Sequence, residues 1–433
     1  MFTPRRAALL ASAFLSSIAC SGTASAQAFY LQEQSVRGAG RAFSGEAADT
    51  GAQSLWWNPA AIGGLDKGEA SVGASLILPH GKVVDTGTVI VRPGQAPAPV
   101  GGDPVARNPI NKGLLPSAAI AYPLTDRVTL GLVVAAPYSF TTDYDADSWT
   151  RYSADKTSLR TFDIQPSVGV AVTDWLRVGG ALNIEYAKAT LGNALPNLSA
   201  ALPDGQQKLK GGGWDMGWSA GLQLHNATGT LGIAYKSSVR HKLRGDLEVS
   251  GLLGPLAASN ISLSGVTATF STPDQFIVAG RLRASETVTL NAQYIRYGWS
   301  KFDAIRLGNP VNEALPQNYR NSWSLAGGVD YAVSPELALR AGVQRTTTPT
   351  RTGQRDARVP DTNRWNLGAG GSFRATDAIT LEAAANYVSF ANGSISRPTA
   401  AYVGTPVQTP ILTSGELRDA RALVLSFGGV VRF

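Results

Sequence analysis

The sequence contains very little of the material from which metal and redox sites are built. Its 433 residues include one cysteine, two methionines and three histidines. Cysteine-rich zinc sites, iron–sulfur clusters and disulfide scaffolds all need more of these residues than the chain provides. We therefore expect neither a metal site nor a cofactor.

Charge and long apolar runs are also scarce. Only 16% of the residues are charged, and the mean hydropathy is -0.03. A bundle of membrane helices is excluded, because each helix would need about 20 predominantly apolar residues in succession. The formal net charge of +7 comes without a basic run or a basic helix, so nucleic acid is not an expected partner.

The first 26 residues have the features of a secretory signal peptide. Arg5 and Arg6 precede an apolar stretch at 7–19, and Ala24-Ser25-Ala26 supplies small residues for cleavage. The predicted signal peptide is 1–26, with the mature chain beginning at Gln27. The single cysteine, Cys20, lies before the cut, so the mature protein is predicted to contain no disulfide.

Period-2 alternation of apolar and polar residues dominates the rest of the chain. In 336–346, for example, one side carries Leu337, Leu339, Ala341 and Val343. This repeat is typical of strands with one face toward lipid and the other toward a lumen. Fourteen such segments can be marked: 70–78, 114–122, 128–136, 158–172, 176–190, 214–225, 230–240, 275–284, 287–299, 319–332, 336–346, 363–374, 379–390 and 421–433.

The connections between these segments alternate between short and long without exception. Bacterial outer-membrane barrels have short periplasmic turns, longer outer loops and an even number of strands. Lipid tolerates no open sheet edge, so the sheet must close on itself. The predicted fold is all-β: a 14-stranded antiparallel transmembrane β-barrel over 70–433, in the bacterial outer membrane. A soluble β-sandwich or solenoid is the alternative that composition alone would allow.

Two residue classes favour the membrane barrel over that alternative. Aromatic residues near strand ends are typical of a membrane interface, and six tryptophans fit this position: Trp175, Trp214, Trp218, Trp299, Trp323 and Trp365. Charged residues fall on the side of the strands that would face the lumen, where neighbouring charges can pair: Asp163, Arg177, Glu185, Asp215, Lys236, Arg281, Arg283, Asp330, Arg340, Arg374 and Glu382.

Residues 27–69, before the first strand, lack clear alternation but are too apolar for a disordered tail. A fourteen-stranded barrel is too wide for its own side chains to fill. The segment is therefore predicted to form a plug, or hatch, inside the lumen. The apolar residues that need burial are Phe29, Leu31, Phe43, Leu55, Trp56, Trp57 and Ile62.

The chain resembles the FadL-type outer-membrane transporters of long-chain fatty acids and other hydrophobic compounds, which include aromatic-hydrocarbon channels. The resemblance begins with AFYLQEQSVRGAGRAFSGEAAD and the Asn58-Pro59-Ala60 motif of the hatch. It continues through WTRYS, YKSSVRHKLRGD, TPDQF, YGWSKF and NSWSLAGGVDY in the family's order. The predicted outer loops at 79–113, 191–213 and 391–420 match nothing, which leaves the substrate open.

The resemblance implies passive, ligand-gated transport: a hydrophobic molecule moves past the hatch and leaves sideways into the membrane where the third strand kinks. On this basis Asn58, Pro59 and Ala60 either gate passage or form a plain structural turn. Gly131 either marks the kink or simply faces the lumen. Arg340 either meets a substrate carboxylate or pairs with a neighbouring acid.

The expected partners are hydrophobic small molecules, either fatty acids or aromatic hydrocarbons, together with outer-membrane lipid and lipopolysaccharide. A monomer is expected, because a closed barrel needs no second chain. A general hydrophilic porin remains the alternative function, although an apolar hatch should block free diffusion. An enzyme is not expected, since no acid at motif spacing marks His80, His225 or His241 as a catalytic base, and each is interpreted as a solvated residue.

Overall fold

The computed structural model describes residues 28–433, and the predicted signal peptide lies outside them. The chain forms a closed antiparallel barrel, because the last strand pairs with the first over most of its length. The predicted fold class and strand number are confirmed. The fourteen wall strands are β1 Glu69–Asp85, β2 Gly113–Pro123, β3 Val128–Ala135, β4 Lys156–Ala171, β5 Leu176–Leu195, β6 Gly205–His225, β7 Gly229–Lys236, β8 Gln275–Arg283, β9 Val288–Tyr297, β10 Ser322–Ala332, β11 Leu337–Thr346, β12 Arg364–Arg374, β13 Ile379–Phe390 and β14 Thr409–Arg432.

The alternation along each strand separates a lipid-facing side from a lumen-facing side. In β13, Leu381 and Tyr387 are exposed on the outside of the barrel, whereas Glu382 and Asn386 are buried inside it. Most of the charges predicted to face inward are likewise buried or half-buried, but Arg283 and Arg374 are exposed at the short-turn end. Large apolar side chains are stable on the outer surface only because lipid surrounds them.

The strands extend further toward the long loops than the sequence predicted. The predicted loops at 79–113, 191–213 and 391–420 each contain strand residues, because beyond the lipid the outer face of a strand is polar and no longer shows the apolar residues that mark a spanning strand. The strand Ser139–Asp143 continues β3, the strand Arg240–Ser250 continues β7, and the strand Ile261–Ser271 leads into β8. Six short strands lie in the loops: Val89–Ile90, Ala98–Pro99, Val105–Arg107, Ala304–Leu307, Ala314–Pro316 and Gly393–Ala401.

Trp299 and His241 lie at positions that differ from those predicted from the sequence. Trp299 is fully buried inside the barrel rather than at the lipid interface, since its ring packs against the hatch residue Phe29 with the ring centroids 4.8 Å apart. His241 is also fully buried, with Glu185 3.1 Å and Asp215 3.4 Å from its ring nitrogens. The interpretation of His241 as a solvated loop residue was wrong, because the strand continuing β7 turns its side chain inward.

The helical elements are short. The segment before β1 contains helix α1 (Val36–Ala39) and the 3₁₀ turns Glu46–Ala48, Ala52–Ser54 and Pro59–Ile62, and two further 3₁₀ turns are Gly254–Ser259 and Trp299–Lys301. Among the described residues, no helix is long and apolar enough to cross a membrane.

The segment 28–68 lies within the barrel lumen, and we call it the hatch. Nearly all of its side chains as far as Ile62 are buried, including all seven apolar residues that the sequence analysis named: Phe29, Leu31, Phe43, Leu55, Trp56, Trp57 and Ile62. We divide it into the hatch start (28–35) and the hatch body (36–62), because different interactions hold the two parts.

Candidate functional site

The Asn58-Pro59-Ala60 motif forms a capped turn at the bottom of the hatch body. The Asn58 side chain accepts a hydrogen bond from the Ala60 backbone N–H at 3.0 Å and caps the turn that Pro59 begins. Its amide nitrogen donates to the backbone oxygens of Ala47 at 2.8 Å and Leu222 at 3.1 Å. One buried asparagine thus joins two parts of the hatch to strand β6.

Glycines of the wall allow the hatch backbone to approach the strands closely. At Gly179 an added Cβ would overlap the backbone atoms of Pro59 and Ala60. Any side chain there would push the motif away from the wall. Further wall glycines meet the hatch backbone in the same way: Gly169, Gly232, Gly328, Gly342 and Gly368. Others leave room for hatch side chains: Gly131, Gly221 and Gly428.

A buried ion network fixes the hatch body to the opposite side of the wall. Arg41 is fully buried, and its guanidinium contacts Glu46, Asp49 at 2.6 Å and Asp330 of β10 at 3.1 Å. Arg281 of β8 bridges the same Asp49 and Asp330 at 2.8 and 2.9 Å. Burial alone would raise the pKa of Asp49, but the surrounding arginines hold it well below its usual range.

Arg340 belongs to the edge of this network. Its guanidinium Nε lies 3.3 Å from Asp330, which stands directly opposite it on β10, and Nη1 donates to the Ser372 hydroxyl at 3.0 Å. Arg340 therefore has a neighbouring acid as its partner. A role in binding a substrate carboxylate stays a prediction.

An apolar pocket lies in the lumen on the outer side of the hatch start. Its free volume is about 70 Å³, far below the roughly 300 Å³ of an ordinary small-molecule site. A long ligand can enter only if lining side chains move. The residues that define it include Phe29 of the hatch, wall residues such as Phe140, Leu159, Leu243 and Phe270, and loop residues such as Phe302, Arg358 and Val359.

Arg358 supplies a positive charge beside this pocket. Its guanidinium donates to the Thr157 hydroxyl at 3.3 Å, the Gly192 carbonyl at 3.1 Å and the Asn193 side-chain oxygen at 3.0 Å. All three acceptors are neutral, and no carboxylate of residues 28–433 forms an ion pair with it. Burial lowers the pKa of Arg358.

The third wall strand is interrupted just beside the hatch start. Strand β3 ends at Ala135, and the chain resumes as a strand at Ser139. Pro137 lies in the interruption, and a proline has no N–H with which to continue a ladder. Gly131, which the sequence analysis read either as the kink or as a plain lumen-facing glycine, lies within continuous pairing to both neighbouring strands. Its missing side chain leaves room for Leu55 and Ile62 of the hatch.

The hatch start supplies the hydrogen bonds that the interrupted strand has lost. The Leu31 N–H donates to the Pro137 carbonyl at 2.8 Å, and the Ser139 N–H donates to the Phe29 carbonyl at 2.9 Å. Tyr30 and Tyr138 form an isolated antiparallel bridge. The hatch start thus acts as a short partner strand inside the lumen, which sequence alternation does not reveal.

The interruption leaves an opening in the wall between β2 and β3. The two strands pair from Pro123 to Ala118, and residues 113–117 of β2 pair only with β1. An isolated bridge between Ile110 and Thr142 closes the opening at its outer end. Its cavity is about 550 Å³.

This wall opening connects the lumen with the lipid-facing surface. Leu31 and Leu115 line it from within, where both are buried. Leu114 and Phe427 line it from outside, where both are exposed. An apolar solute could therefore pass from lumen to lipid here without crossing the periplasmic end of the barrel.

One family profile matches nearly the whole described chain. The family is described as outer membrane protein transport protein (OMPP1/FadL/TodX), and the match covers residues 17–418. It therefore includes the hatch, the pocket and the wall opening together.

Curated relatives agree with this match. The 47 kDa outer membrane protein of Pasteurella multocida is 30% identical over 84% of this chain and 87% of its own length. The long-chain fatty acid transport protein of Escherichia coli O6:H1 is 24% identical over 83% of this chain and 86% of its own.

Solved structures share the fold. A Pseudomonas aeruginosa FadL homologue matches with a TM-score of 0.79 and 22% identity, covering 93% of this chain and 99% of that one. The Ralstonia pickettii toluene transporter TbuX matches with a TM-score of 0.65 and 17% identity, covering 92% and 98%. At these identities the likeness concerns the fold alone.

Proposed function

Because this chain belongs to the OMPP1/FadL/TodX family of outer-membrane transport proteins, we propose that it carries long-chain fatty acids passively across the outer membrane. The family confirms the resemblance that the motifs indicated: the chain is an outer-membrane transporter of hydrophobic compounds and not an enzyme. No comparison supports the hydrophilic porin. The identity of the cargo and its route are our proposals.

The observation that carries the fatty-acid proposal is the cation beside an apolar pocket. A fatty acid combines an alkyl chain with a carboxylate, and Arg358 is a half-buried guanidinium whose hydrogen-bond acceptors are all neutral. A cargo carboxylate would give it a directly bonded acceptor of opposite charge, and charge-assisted hydrogen bonds are stronger than neutral ones. The E. coli relative named above is described as a long-chain fatty acid transport protein.

The proposed route begins in this pocket and ends at the wall opening. The pocket is too small for an alkyl chain unless lining side chains move, and one of them, Phe29, belongs to the segment that bonds to the interrupted strand. Entry of the cargo would displace the hatch start and widen the wall opening beside it. Exit into lipid is favourable at about 25 cal/mol per Å² of apolar surface removed from water.

In this route the hatch acts as one plug with a movable start and a fixed body. Asn58, Pro59 and Ala60 would then hold the body in place, so that only the hatch start yields to cargo. Gly131 would serve the same purpose, since its missing side chain lets Leu55 and Ile62 approach the wall. We expect a monomer to carry out the whole cycle, because the closed barrel has no open edge.

A monoaromatic hydrocarbon is the competing cargo. The phenylalanine rings around the pocket favour it, since Phe29 stacks near Phe140 at 5.9 Å and meets Phe302 edge-on at 5.2 Å. The structurally similar TbuX is described as a toluene transporter. Such a cargo has no charged group for Arg358 to bind.

The fatty-acid and hydrocarbon proposals are distinguished by measuring the binding of oleate, methyl oleate and toluene to the purified barrel. We expect oleate to bind most tightly and Arg358→Met to weaken it by about tenfold, because a charge-assisted hydrogen bond is lost. Methyl oleate should bind the variant and the native chain alike. Arg351→Met, at an exposed loop position, is the matched control. Tighter binding of toluene than of oleate would contradict the proposal.

A further inference from the structure

A row of basic residues crosses four neighbouring strand segments on the lipid-facing side, toward the long-loop end. The register places Arg160 of β4 opposite Lys188 of β5, Lys188 opposite Gly212 of β6, and Gly212 opposite Arg244. Arg160, Lys188 and Arg244 are all exposed. We call Arg160, Lys188, Gly212 and Arg244 together the basic row.

An aromatic row lies directly below and fixes the depth of the basic row in the membrane. Phe162, Tyr186 and Trp214 stand opposite one another on the same three strands, and the rings of Tyr186 and Trp214 are 5.2 Å apart. Aromatic side chains on a barrel surface mark the boundary of the hydrocarbon. The basic row lies two residues further along each strand, which is a distance of roughly 7 Å. This distance places the basic row at the level of the lipid headgroups.

Two charges of this row, those of Lys188 and Arg244, have no partner of opposite charge. Neither side chain forms an ion pair within residues 28–433. The next rows outward are balanced, because Lys210 faces Asp246 and Lys208 faces Glu248.

A second basic row elsewhere on the wall provides a contrast. Lys82 stands between Arg107 and Arg418, but Lys82 pairs with Asp419 at 2.7 Å and Arg418 pairs with Glu416 at 2.7 Å. Lys188 and Arg244 therefore differ from Lys82 and Arg418 in having no ion-pair partner among the described residues.

Gly212 stands between Lys188 and Arg244 in the row, and we call this position the notch. Because it has no side chain, it leaves space between the cations Lys188 and Arg244. The Tyr186 hydroxyl reaches this space, since it lies 2.7 Å from where a Gly212 Cβ would stand. A phosphate in the notch would meet two cations and a hydroxyl donor, the combination that such groups bind well.

We propose that this notch binds a phosphate of a phosphorylated glycolipid of the outer leaflet, the lipid A part of lipopolysaccharide. Its acyl chains would lie against the aromatic row. Arg160, Phe162, Tyr186 and Lys188 also line the wall opening, so the bound lipid stands beside the place where cargo would leave. The site depends on the membrane orientation of the barrel and not on the nature of the cargo.

The test measures retention of defined lipids by the detergent-solubilised full chain, using native mass spectrometry. The probes are diphosphoryl lipid A, a lipid A lacking both phosphates, and inorganic phosphate as competitor. We expect Lys188→Ser/Arg244→Ser to weaken diphosphoryl lipid A binding by about 30-fold, since each basic residue near anionic lipid contributes comparably. Gly212→Val should weaken it as well by filling the notch, although it removes no charge.

The matched control is Lys208→Ser/Lys210→Ser, which removes the same charge from the neighbouring balanced rows and should change binding by less than about threefold. All variants must keep the heat-modifiable gel mobility of a folded barrel. Equal weakening in both double variants would reduce the effect to net charge and overturn the proposal. Displacement of lipid A by millimolar inorganic phosphate would also overturn it, because the site would then be a simple anion site.

Discussion

The two parts of the hatch are held to the same wall by different forces. The hatch start is attached by backbone hydrogen bonds to the interruption after β3 and by packing of Phe29 and Tyr30 against aromatic rings. The hatch body is attached by the buried charges around Arg41 and by close backbone contact at Gly179. A part held by backbone bonds beside a cavity can exchange partners, whereas a part held by buried charges cannot move without exposing or separating them.

Fixing the hatch start to the wall should have the largest effect on transport. Tyr30→Cys/Tyr138→Cys joins two residues that already form an antiparallel bridge, a separation that suits a disulfide. We expect oxidation to reduce fatty-acid uptake by cells to background and reduction to restore it. Ser75→Cys/Ser426→Cys is the matched control, because these hydroxyls face each other at 2.7 Å across β1 and β14. Full uptake by the oxidised first pair would mean that the hatch start does not move.

Removing the central cation of the hatch body should have the largest effect on stability. Arg41→Met leaves the buried Glu46 without its ion-pair partner, while Asp49 and Asp330 keep only their contacts with the wall and hatch arginines such as Arg281. Breaking a buried ion pair in this way costs about 3–5 kcal/mol. We expect the hatch body to leave the lumen, which planar-bilayer recordings would register as a large and constant ion current. The exposed Arg306, whose partner is Asp303, is the control position, and Arg306→Met should leave the bilayer silent.

Filling the space between wall and hatch should have a smaller effect. Gly179→Ala adds a Cβ that overlaps the backbone of Pro59 and Ala60, and overpacking of this kind costs about 1–3 kcal/mol. We expect a lower urea midpoint for unfolding and intermittent currents. Gly280→Ala is the matched control, because its Cβ would meet no atom within 4 Å. Equal behaviour of the two variants would show that close approach at Gly179 does not hold the hatch.

The smallest effect is expected at the cap of the motif. Asn58→Ala removes the acceptor for the Ala60 N–H and the donors to Ala47 and Leu222, at a cost of about 1–2 kcal/mol. We expect brief ion currents without loss of the folded barrel. Asn226→Ala, in an exposed turn where the side chain accepts from Thr228 and Gly229, should leave the current unchanged. A silent Asn58→Ala variant would assign the motif a plain structural role.

The sequence predicted the wall well because lipid imposes a simple rule on it. Every second side chain of a spanning strand must be apolar, so the fourteen segments could be marked from alternation alone. Where that rule ends, prediction was weaker: the strands that continue beyond the lipid, such as Arg240–Ser250, were assigned largely to loops. The inward turn of His241 followed from the same omission.

The lumen was harder to predict because its side chains pack against the hatch, which is distant in sequence, and not against lipid. Trp299 carries the same local pattern as the interfacial tryptophans, yet it packs against Phe29, which is 270 positions earlier in the chain. The interruption after β3 had a visible signal in Pro137, but the partner that compensates for it lies in the hatch start. The cation Arg358 comes from a loop that matched no motif.

The side chain and the backbone of Phe29 make different contacts. Its ring belongs to the cavity in the lumen, whereas its carbonyl oxygen holds the N–H of Ser139. A substitution changes the ring and leaves the carbonyl where it was. A different side chain at this position would therefore change the shape of the cavity while keeping the hydrogen bond that joins the hatch start to the interrupted strand.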